Sequence, residues 1–202
     1  MLTYAALAHI NRKVFDSNEY EAVRAFYEDR CAERSRVPLI NHIHEGLVVM
    51  HQINASEEAQ RAYCLHPLFQ ADKDLASVGM PYLADRGWQT PGSVVALTME
   101  YRYRANAWLS DKVKWIDYDR YNFQIETGGT SPNGGDLEEV VHMLIADKVQ
   151  NRKDFLTHHK DTHPRRHELD YYFTAWLRAL SVDDAEYQKL CAAIDAMKKD
   201  GS

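Results

Sequence analysis

The sequence predicts an all-α protein that forms a single domain. Long stretches place apolar residues at three- and four-residue spacing, the period of an amphipathic helix, whereas alternation of β-branched residues is scarce. The 202 residues are enough for one core of ordinary size, and neither a long linker nor an internal repeat divides them. We therefore expect one domain over residues 1–202, with its core at about 3–182 and a frayed tail at about 196–202.

Helices are predicted in order along the first half of the chain. The first covers about residues 3–14 and the second about 19–33. An extended "RVPLI" leads into the helix "NHIHEGLVVMHQI". The next helix, "NASEEAQRAYCLH", has Ser56 as its N-cap, and the two glutamates after it favour the positive end of the helix dipole. Pro67 is expected to end or kink this helix, because proline lacks the amide that a helix interior uses.

The second half alternates predicted loops and helices. "GMPYLADRGWQTPG" is expected to be a loop, "SVVALTMEYRYRANAWLSDKV" a long amphipathic helix and "TGGTSPNGG" a flexible loop. Asp136 and Glu139 form a capping-box pattern that opens "LEEVVHMLIADKVQNRKDFLTHHK". After the turn "DTHPRRHE" come the helix "LDYYFTAWLRAL" and a short final helix.

Composition and charge narrow the function classes. The chain is 45% hydrophobic and 27% charged, an ordinary globular balance. Its net charge of −6 disfavours a nonspecific nucleic-acid binder, although a local basic pocket for a small anion is compatible with it. Its three cysteines suit neither a disulfide framework nor a zinc knuckle, and we find neither a membrane span nor a signal peptide. We expect a reducing, cytoplasmic setting without membrane or nucleic-acid partners; the oligomeric state is not predicted.

Three polar residues interrupt apolar helical stripes: His42, His66 and Asp147. A buried carboxylate must be paired, hydrogen-bonded or metal-bound, because desolvating it alone is costly. Each residue by itself is also typical of an ordinary core: a buried ion pair or helix cap for the aspartate, a satisfied core histidine for the others. Together, two imidazoles and a carboxylate can hold a transition metal. The sequence pattern leaves both interpretations open.

Other polar clusters are weaker signals. "HHKDTHPRRH" carries four histidines around a turn, which is more typical of a solvated surface loop than of a metal site. "TGGTSPNGG" lacks the Gly-Lys-Ser/Thr ending of a phosphate loop. Arg102 and Arg104 stand beside aromatic residues in "EYRYRANAWL"; they belong either to a solvated helix face or to a polyphosphate clamp.

Five segments together are similar, in order and approximate spacing, to a known family. "HINRKVF" is similar to its "aaRKxH", "PLINHI" to "PYINHP", "RAYCLHPLFQADKDL" to "aaLLHDvvEDT…L", "MLIADKVQNRKDF" to "vkLADKLxNLRDL", and "ELDYYFTAWLRAL" to the closing helix. The chain thereby resembles, over roughly residues 3–182, the hydrolase domain of RelA/SpoT-type alarmone enzymes. Those helical proteins belong to the HD phosphohydrolase superfamily, and the short stand-alone alarmone hydrolases are the nearest comparison.

The resemblance implies an HD-domain-like helical bundle that hydrolyses a ppGpp-like nucleotide. In that chemistry a water at the metal attacks the 3′-pyrophosphate phosphorus. The implied divalent metal is Mn²⁺ in the first place, with Fe²⁺ or Zn²⁺ also suited. The resemblance carries the metal ligands onto His42, His66 and Asp147, and the nucleotide contacts onto Arg12, Lys13 and Asn151.

The chain departs from the family at the second motif, where His66-Pro67 replaces His-Asp. The family's acidic pair aligns with Gln70 and Ala71, and Asp72 lies one residue further on. One hypothesis is an enzyme with an altered metal site, in which Asp72, or less directly Gln70, serves catalysis. A second is a catalytically inactive nucleotide-binding sensor, sequestering or regulatory protein, with metal weak or absent. A third is an interaction scaffold.

Overall fold

The computed structural model describes residues 11–33, 35–107 and 137–200, with side chains as far as Lys198. In these ranges the regular structure is helical, and one isolated bridge joins Cys31 to Pro38. The predicted all-α class is confirmed. Within the same ranges, no helix has both the length and the apolar character that a membrane span requires.

The described helices are named in the order in which they occur along the chain. They are α1 (described over residues 11–15), α2 (Asn18–Tyr27), α3 (Asn41–Gln52), α4 (Glu57–Gln70), α5 (Asp72–Asp74), α6 (Met80–Arg86), α7 (Gly92–Ala107), α8 (Glu138–His158), α9 (Arg166–Ala179) and α10 (Asp184–Asp200). A π-helical segment, Leu75–Gly79, precedes α6. α4 packs against α2, α7 and α8, while α3 packs against α4, α8 and α10. The helices α3, α4 and α8 therefore meet at the centre of the bundle.

The start of α4 is as predicted. The Ser56 side-chain oxygen accepts a hydrogen bond from the amide of Ala59 at 3.2 Å, and two glutamates occupy the first turn. The predicted capping box at α8 includes Asp136, which lies outside the described residues. So do "TGGTSPNGG", the end of the helix predicted after Ser93 and the first ten residues.

Pro67 does not end α4, so the first of the two predicted outcomes, an end or a kink at this residue, is wrong. The helix continues through Pro67 to Gln70, and Ala71 then turns extended with φ −83° and ψ 143°. The carbonyl of Tyr63, which the missing amide would have engaged, receives a hydrogen bond from His66 Nδ1 at 2.6 Å. A side-chain donor thus replaces the lost backbone donor, and the helix tolerates the proline.

Three other boundaries differ from the prediction. The predicted loop "GMPYLADRGWQTPG" contains α6, which begins with Pro81 in its first turn and is anchored by buried Tyr82, whose hydroxyl bonds Thr90 at 2.7 Å. The second helix ends near Tyr27 because Glu28 adopts φ 47°. The last helix is long, and the predicted tail is helical as far as residue 200, where Lys198 pairs with buried Glu45 of α3 at 2.6 Å.

Gly46 permits the close approach of α3 and α4. A Cβ atom at this position would lie 2.2 Å from the Tyr63 hydroxyl, far inside van der Waals contact. Tyr63 is fully buried, and its hydroxyl donates to the carbonyl of His42 at 3.3 Å. The absence of a side chain at Gly46 therefore sets how closely His42 on α3 faces His66 on α4.

Gly46→Ala should lower the free energy of unfolding by about 1–3 kcal/mol, the usual range for overpacking a core. Urea unfolding measures the change. The matched control is Gly92→Ala at the start of α7, where an added Cβ meets nothing within 4 Å. That change should be neutral or slightly stabilising. Equal behaviour of the two variants would contradict the tight α3–α4 contact.

Buried His44 should make the fold sensitive to acid. Burial lowers the pKa of His44 from 6.5 to about 4, and its Nε2 lies 2.8 Å from the Tyr20 hydroxyl. Between those two pH values His44 binds a proton in the unfolded chain but stays neutral in the folded protein. The free energy of unfolding should therefore fall as the pH drops from 6.5 towards 4, by at most about 1.4 kcal/mol per pH unit from this group.

The measurement is urea unfolding at several pH values in this window. His44→Gln should show a shallower dependence on pH than the wild type. His51→Gln, at an exposed histidine of the same helix, should keep the wild-type slope. A His44→Gln slope as steep as that of the wild type would refute the role of His44.

Candidate metal centre

His42, His66 and Asp147 converge from α3, α4 and α8. The Nε2 atoms of His42 and His66 are 3.1 Å apart, and His42 Nε2 lies 3.4 Å from Asp147 Oδ1. One ligand atom of each residue lies within 4.8 Å of the others. The structure thus brings together the three residues predicted as metal ligands. In the described part of the chain this is the only such group of three or more His, Cys, Asp or Glu residues.

Hydrogen bonds on the far side of both rings orient them. His66 Nδ1 donates to the Tyr63 carbonyl at 2.6 Å, and His42 Nδ1 lies 2.7 Å from Gln150 Oε1. Because oxygens of carbonyl and amide groups only accept, each Nδ1 carries the proton and each Nε2 presents a lone pair. Neither Nε2 can then donate to the other. Two lone pairs and a carboxylate face one another, an arrangement that a shared cation stabilises.

The charge states suit a metal ligand set. Burial, reinforced by His42, lowers the pKa of His66 to about 3, so its imidazole is neutral near pH 7. Burial alone would raise the pKa of Asp147, but the Lys148 ammonium, together with the two imidazoles when they are protonated in acid, outweighs it and lowers that pKa to about 2. Metal ions bind neutral imidazole and ionised carboxylate. Neutral His66 and ionised Asp147 are already present at neutral pH.

The Asp147 carboxylate is held by its own helix. Lys148 Nζ lies 2.5 Å from Oδ2, while Asn151 Nδ2 donates to Oδ1 at 2.8 Å. Lys148 is buried in turn, at 5.0 Å from the ring centroid of Trp176 and 5.6 Å from that of Tyr172 on α9. Oδ2 is therefore neutralised by the lysine, and Oδ1 faces the histidines.

Two of the three ligand spacings match those around a bound metal ion. Two ligand atoms at 2.0–2.1 Å from one ion, at ordinary coordination angles, lie about 2.9–3.4 Å apart. The spacings of 3.1 and 3.4 Å around His42 Nε2 fall in that interval. Tyr101 also lies at the centre: its hydroxyl is fully buried, its ring lies 5.0 Å from that of His66, and burial, together with the nearby Asp147 carboxylate, raises its pKa. Its hydroxyl therefore stays protonated beside Asp147.

A cavity of about 1160 Å³ adjoins the centre. It is large enough for a nucleotide-sized ligand. Four aromatic side chains line it: Phe26, Tyr27, Tyr172 and Phe173. Its charged lining consists of three cations and four carboxylates: Arg30, Arg102, Lys148, Asp72, Asp74, Asp147 and Asp154.

Four further predicted site residues reach this cavity. Gln70, Asp72, Arg102 and Asn151 all line it. The Asp72 side chain is 94% exposed and pairs with Arg102, whose guanidinium also donates to the Gln70 carbonyl at 3.3 Å. The two catalytic candidates, Gln70 at the end of α4 and Asp72 at the start of α5, therefore both line the cavity that adjoins the centre.

Three predicted substrate contacts do not line the cavity. Arg12 pairs with Asp16 at 3.3 Å and Lys13 with Glu57 at 3.4 Å, and both side chains are more than 80% exposed. Arg104 pairs with Glu100 of its own helix at 2.7 Å. Of the suggested arginine clamp, only Arg102 faces the cavity, because the two arginines are two residues apart on a helix and point to different sides.

Sequence reasoning missed the residues that support the ligands. Tyr63 lies three residues before His66, on the same helical stripe, and Gln150 lies three residues after Asp147. Their helical spacing was the available signal, but nothing local indicates that Gln150 reaches across to His42. The four histidines of "HHKDTHPRRH" lie at the end of α8, in the turn after it and at the start of α9. They form no converging ligand group.

No protein-family model, curated protein or solved structure matches the chain. The fold and the site alone therefore define its class. It is an all-α bundle whose central helices carry a His-His-Asp group that could hold a metal ion.

A bound metal should stabilise the folded protein. Adding Mn²⁺ or Zn²⁺ to metal-free protein should raise the Tm, since a ligand of the native state at 100 times its Kd contributes about 2.7 kcal/mol. His42→Gln, at a partly exposed ligand position, should abolish most of the shift, and His51→Gln should retain it. Differential scanning calorimetry tests this. Equal shifts in both variants would place the metal elsewhere.

Proposed function

We propose that the chain is a divergent HD-type phosphohydrolase that acts on a phosphorylated nucleotide, a ppGpp-like alarmone or a relative of it, at the His42–His66–Asp147 centre. One observation carries the proposal. Two imidazole lone pairs and a carboxylate face one another at the wall of a nucleotide-sized cavity, with no proton available between the Nε2 atoms. The sequence resemblance to the alarmone hydrolases supports the same assignment.

A divalent metal is the cofactor that this donor set favours. Mixed imidazole and carboxylate ligands suit Mn²⁺, Fe²⁺ and Zn²⁺. When bound, such an ion would polarise a phosphate oxygen and lower the pKa of a water molecule. His42, His66 and Asp147 would hold it, and Lys148 would keep Asp147 ionised.

The cavity lining favours a nucleotide over a simple phosphate ester. Aromatic rings stack on bases, and base–aromatic stacking contributes about 1–3 kcal/mol per base. Tyr27 and Tyr172 are the rings we assign to this role, with Arg30 and Arg102 directed to phosphates. Asn151, which lines the cavity beside Asp147, is assigned to the ribose or a phosphate.

The charge balance makes nucleotide binding depend on the metal. Three cations of the lining face four carboxylates, and His66 is neutral. Without a metal, the cavity as a whole is slightly negative and opposes a polyphosphate. A divalent ion reverses the sign. The charge of the lining therefore favours the metal-loaded protein over a nucleotide binder that works without metal.

Turnover should be slow. Hydrolysis forms a bond from water oxygen to phosphorus, breaks the phosphorus–oxygen ester bond and needs an acceptor for the water proton. Gln70 can orient a water molecule but its amide cannot accept the proton, and the Asp72 carboxylate is paired with Arg102. General-base assistance typically accelerates a reaction by about 10²–10⁴-fold. We expect most of this acceleration to be absent here.

The same observations favour one alternative, a nucleotide-binding sensor or sequestering protein without turnover. Pro67 and Gln70 replace acidic residues of the resembling family, which removes water activation but leaves the cavity open to a ligand. On either proposal the setting is cytoplasmic, which agrees with three free cysteines.

The test is a nucleotide panel, including guanosine tetraphosphate, incubated with Mn²⁺-loaded protein. We expect phosphate or pyrophosphate release from at least one nucleotide, together with a rise in Tm. Asp147→Asn should abolish the release and weaken metal binding. The control is Asp85→Asn on α6, an exposed aspartate that does not line the cavity, and it should behave as wild type.

The outcomes separate the proposals. A rise in Tm with nucleotide and Mn²⁺ but no product would overturn hydrolysis and support the sensor. A rise without Mn²⁺ would contradict the charge argument. No response to metal or nucleotide would refute both and favour the interaction scaffold.

A further inference from the structure

Pro67 changes the hydrogen bonding of α4 at one specific carbonyl. In a continuous α-helix the amide of residue 67 would donate to the carbonyl of Tyr63, four residues earlier. Proline has no amide hydrogen, so this carbonyl loses its helical donor. His66 Nδ1 occupies the acceptor instead, at 2.6 Å. Because of the proline, the Tyr63 carbonyl has no helical donor and accepts from the imidazole of His66 instead.

This hydrogen bond determines which nitrogen of His66 faces the centre as a ligand. With the proton on Nδ1, the lone pair is on Nε2, which lies 3.1 Å from His42 Nε2. An amide at residue 67 would compete for the same oxygen and weaken the contact to Nδ1. The imidazole could then adopt the other tautomer, whose Nε2 carries a proton and cannot bind a metal.

Tyr63 holds both imidazoles, so the effect of Pro67 is transmitted through one residue. Its ring centroid lies 4.6 Å from that of His66 and 5.8 Å from that of His42. Its hydroxyl donates to the His42 carbonyl at 3.3 Å, in the space that Gly46 leaves free. The Tyr63 side chain thus contacts both imidazoles, and its main-chain carbonyl accepts from His66.

We propose that Pro67 is a positioning residue that fixes His66 in the Nδ1-protonated tautomer by leaving the Tyr63 carbonyl to it. Proline replaces the aspartate found at this place in the resembling family. In this chain that replacement leaves Nε2 of His66 as the ligand nitrogen. The part of the inference that concerns metal affinity rests on the proposed function. The part that concerns the tautomer holds for the metal-free protein.

Pro67→Ala is the test, with two readouts. In metal-free protein with ¹⁵N-labelled histidine, long-range ¹H–¹⁵N spectra identify the protonated nitrogen of each ring. His66 should be Nδ1-protonated in the wild type and should show a growing share of the Nε2-protonated form in Pro67→Ala. The Kd for Mn²⁺, measured by titration calorimetry, should rise about tenfold, the lower end for loss of an outer-shell partner.

Pro67→Ala is not expected to destabilise the fold, so a change in tautomer or in Kd would not result from unfolding. Pro67→Ala restores a helical hydrogen bond, so its Tm should be higher than that of the wild type. Pro81→Ala provides the matched control, since Pro81 lies exposed in the first turn of α6 and does not line the cavity. It should leave the His66 tautomer and the Kd for Mn²⁺ unchanged.

An unchanged His66 tautomer in Pro67→Ala would overturn the inference, whatever the protein does with metal. A changed tautomer with an unchanged Kd for Mn²⁺ would overturn its link to the centre. If the wild type binds no metal at all, the proposed function fails, and the tautomer comparison still decides the role of Pro67.

Discussion

The packing of the helices around the centre depends on one buried carboxylate, that of Asp147. Asp147 is 3% exposed, and leaving an ionised carboxylate unpaired at that depth would cost several kcal/mol. Its charge is met by Lys148 and Asn151 of its own helix, while its Oδ1 faces the His42 Nε2 of α3 at 3.4 Å. Lys148 lies in turn over rings of α9, so satisfying this one group connects α8 to α9. The remaining contact, to α3, is one that a shared cation would stabilise.

The helix α4 completes the same centre under a different constraint. It carries a proline in its interior and approaches α3 so closely that only glycine fits at position 46. Both features cost stability or freedom in an ordinary helix. Here they hold Tyr63 between two imidazoles and give its carbonyl to His66. Residues that are unfavourable inside an ordinary helix thus occur at the site, where they lower helix stability but support the positions of the ligands.

Much of this could be predicted from the sequence because it depends on local periodicity. The all-α class, the cap at Ser56 and the convergence of His42, His66 and Asp147 agree with the structure. The wrong predictions depend on side-chain contacts rather than on helical periodicity. Pro67 does not end α4 because a side chain replaces its amide, and α6 forms where Tyr82 is buried against Thr90. The link from Gln150 to His42 spans 108 residues and leaves no local signal.

The central claim is that two imidazole nitrogens and one carboxylate oxygen bind a single metal ion. X-ray absorption at the metal edge of Mn²⁺- or Zn²⁺-loaded protein tests it most directly, since the extended fine structure counts imidazole ligands. We predict one metal per chain, two imidazole nitrogens among its ligands and the loss of one of these nitrogens in His42→Gln. A shell of oxygen atoms alone, or one unchanged in His42→Gln, would contradict it.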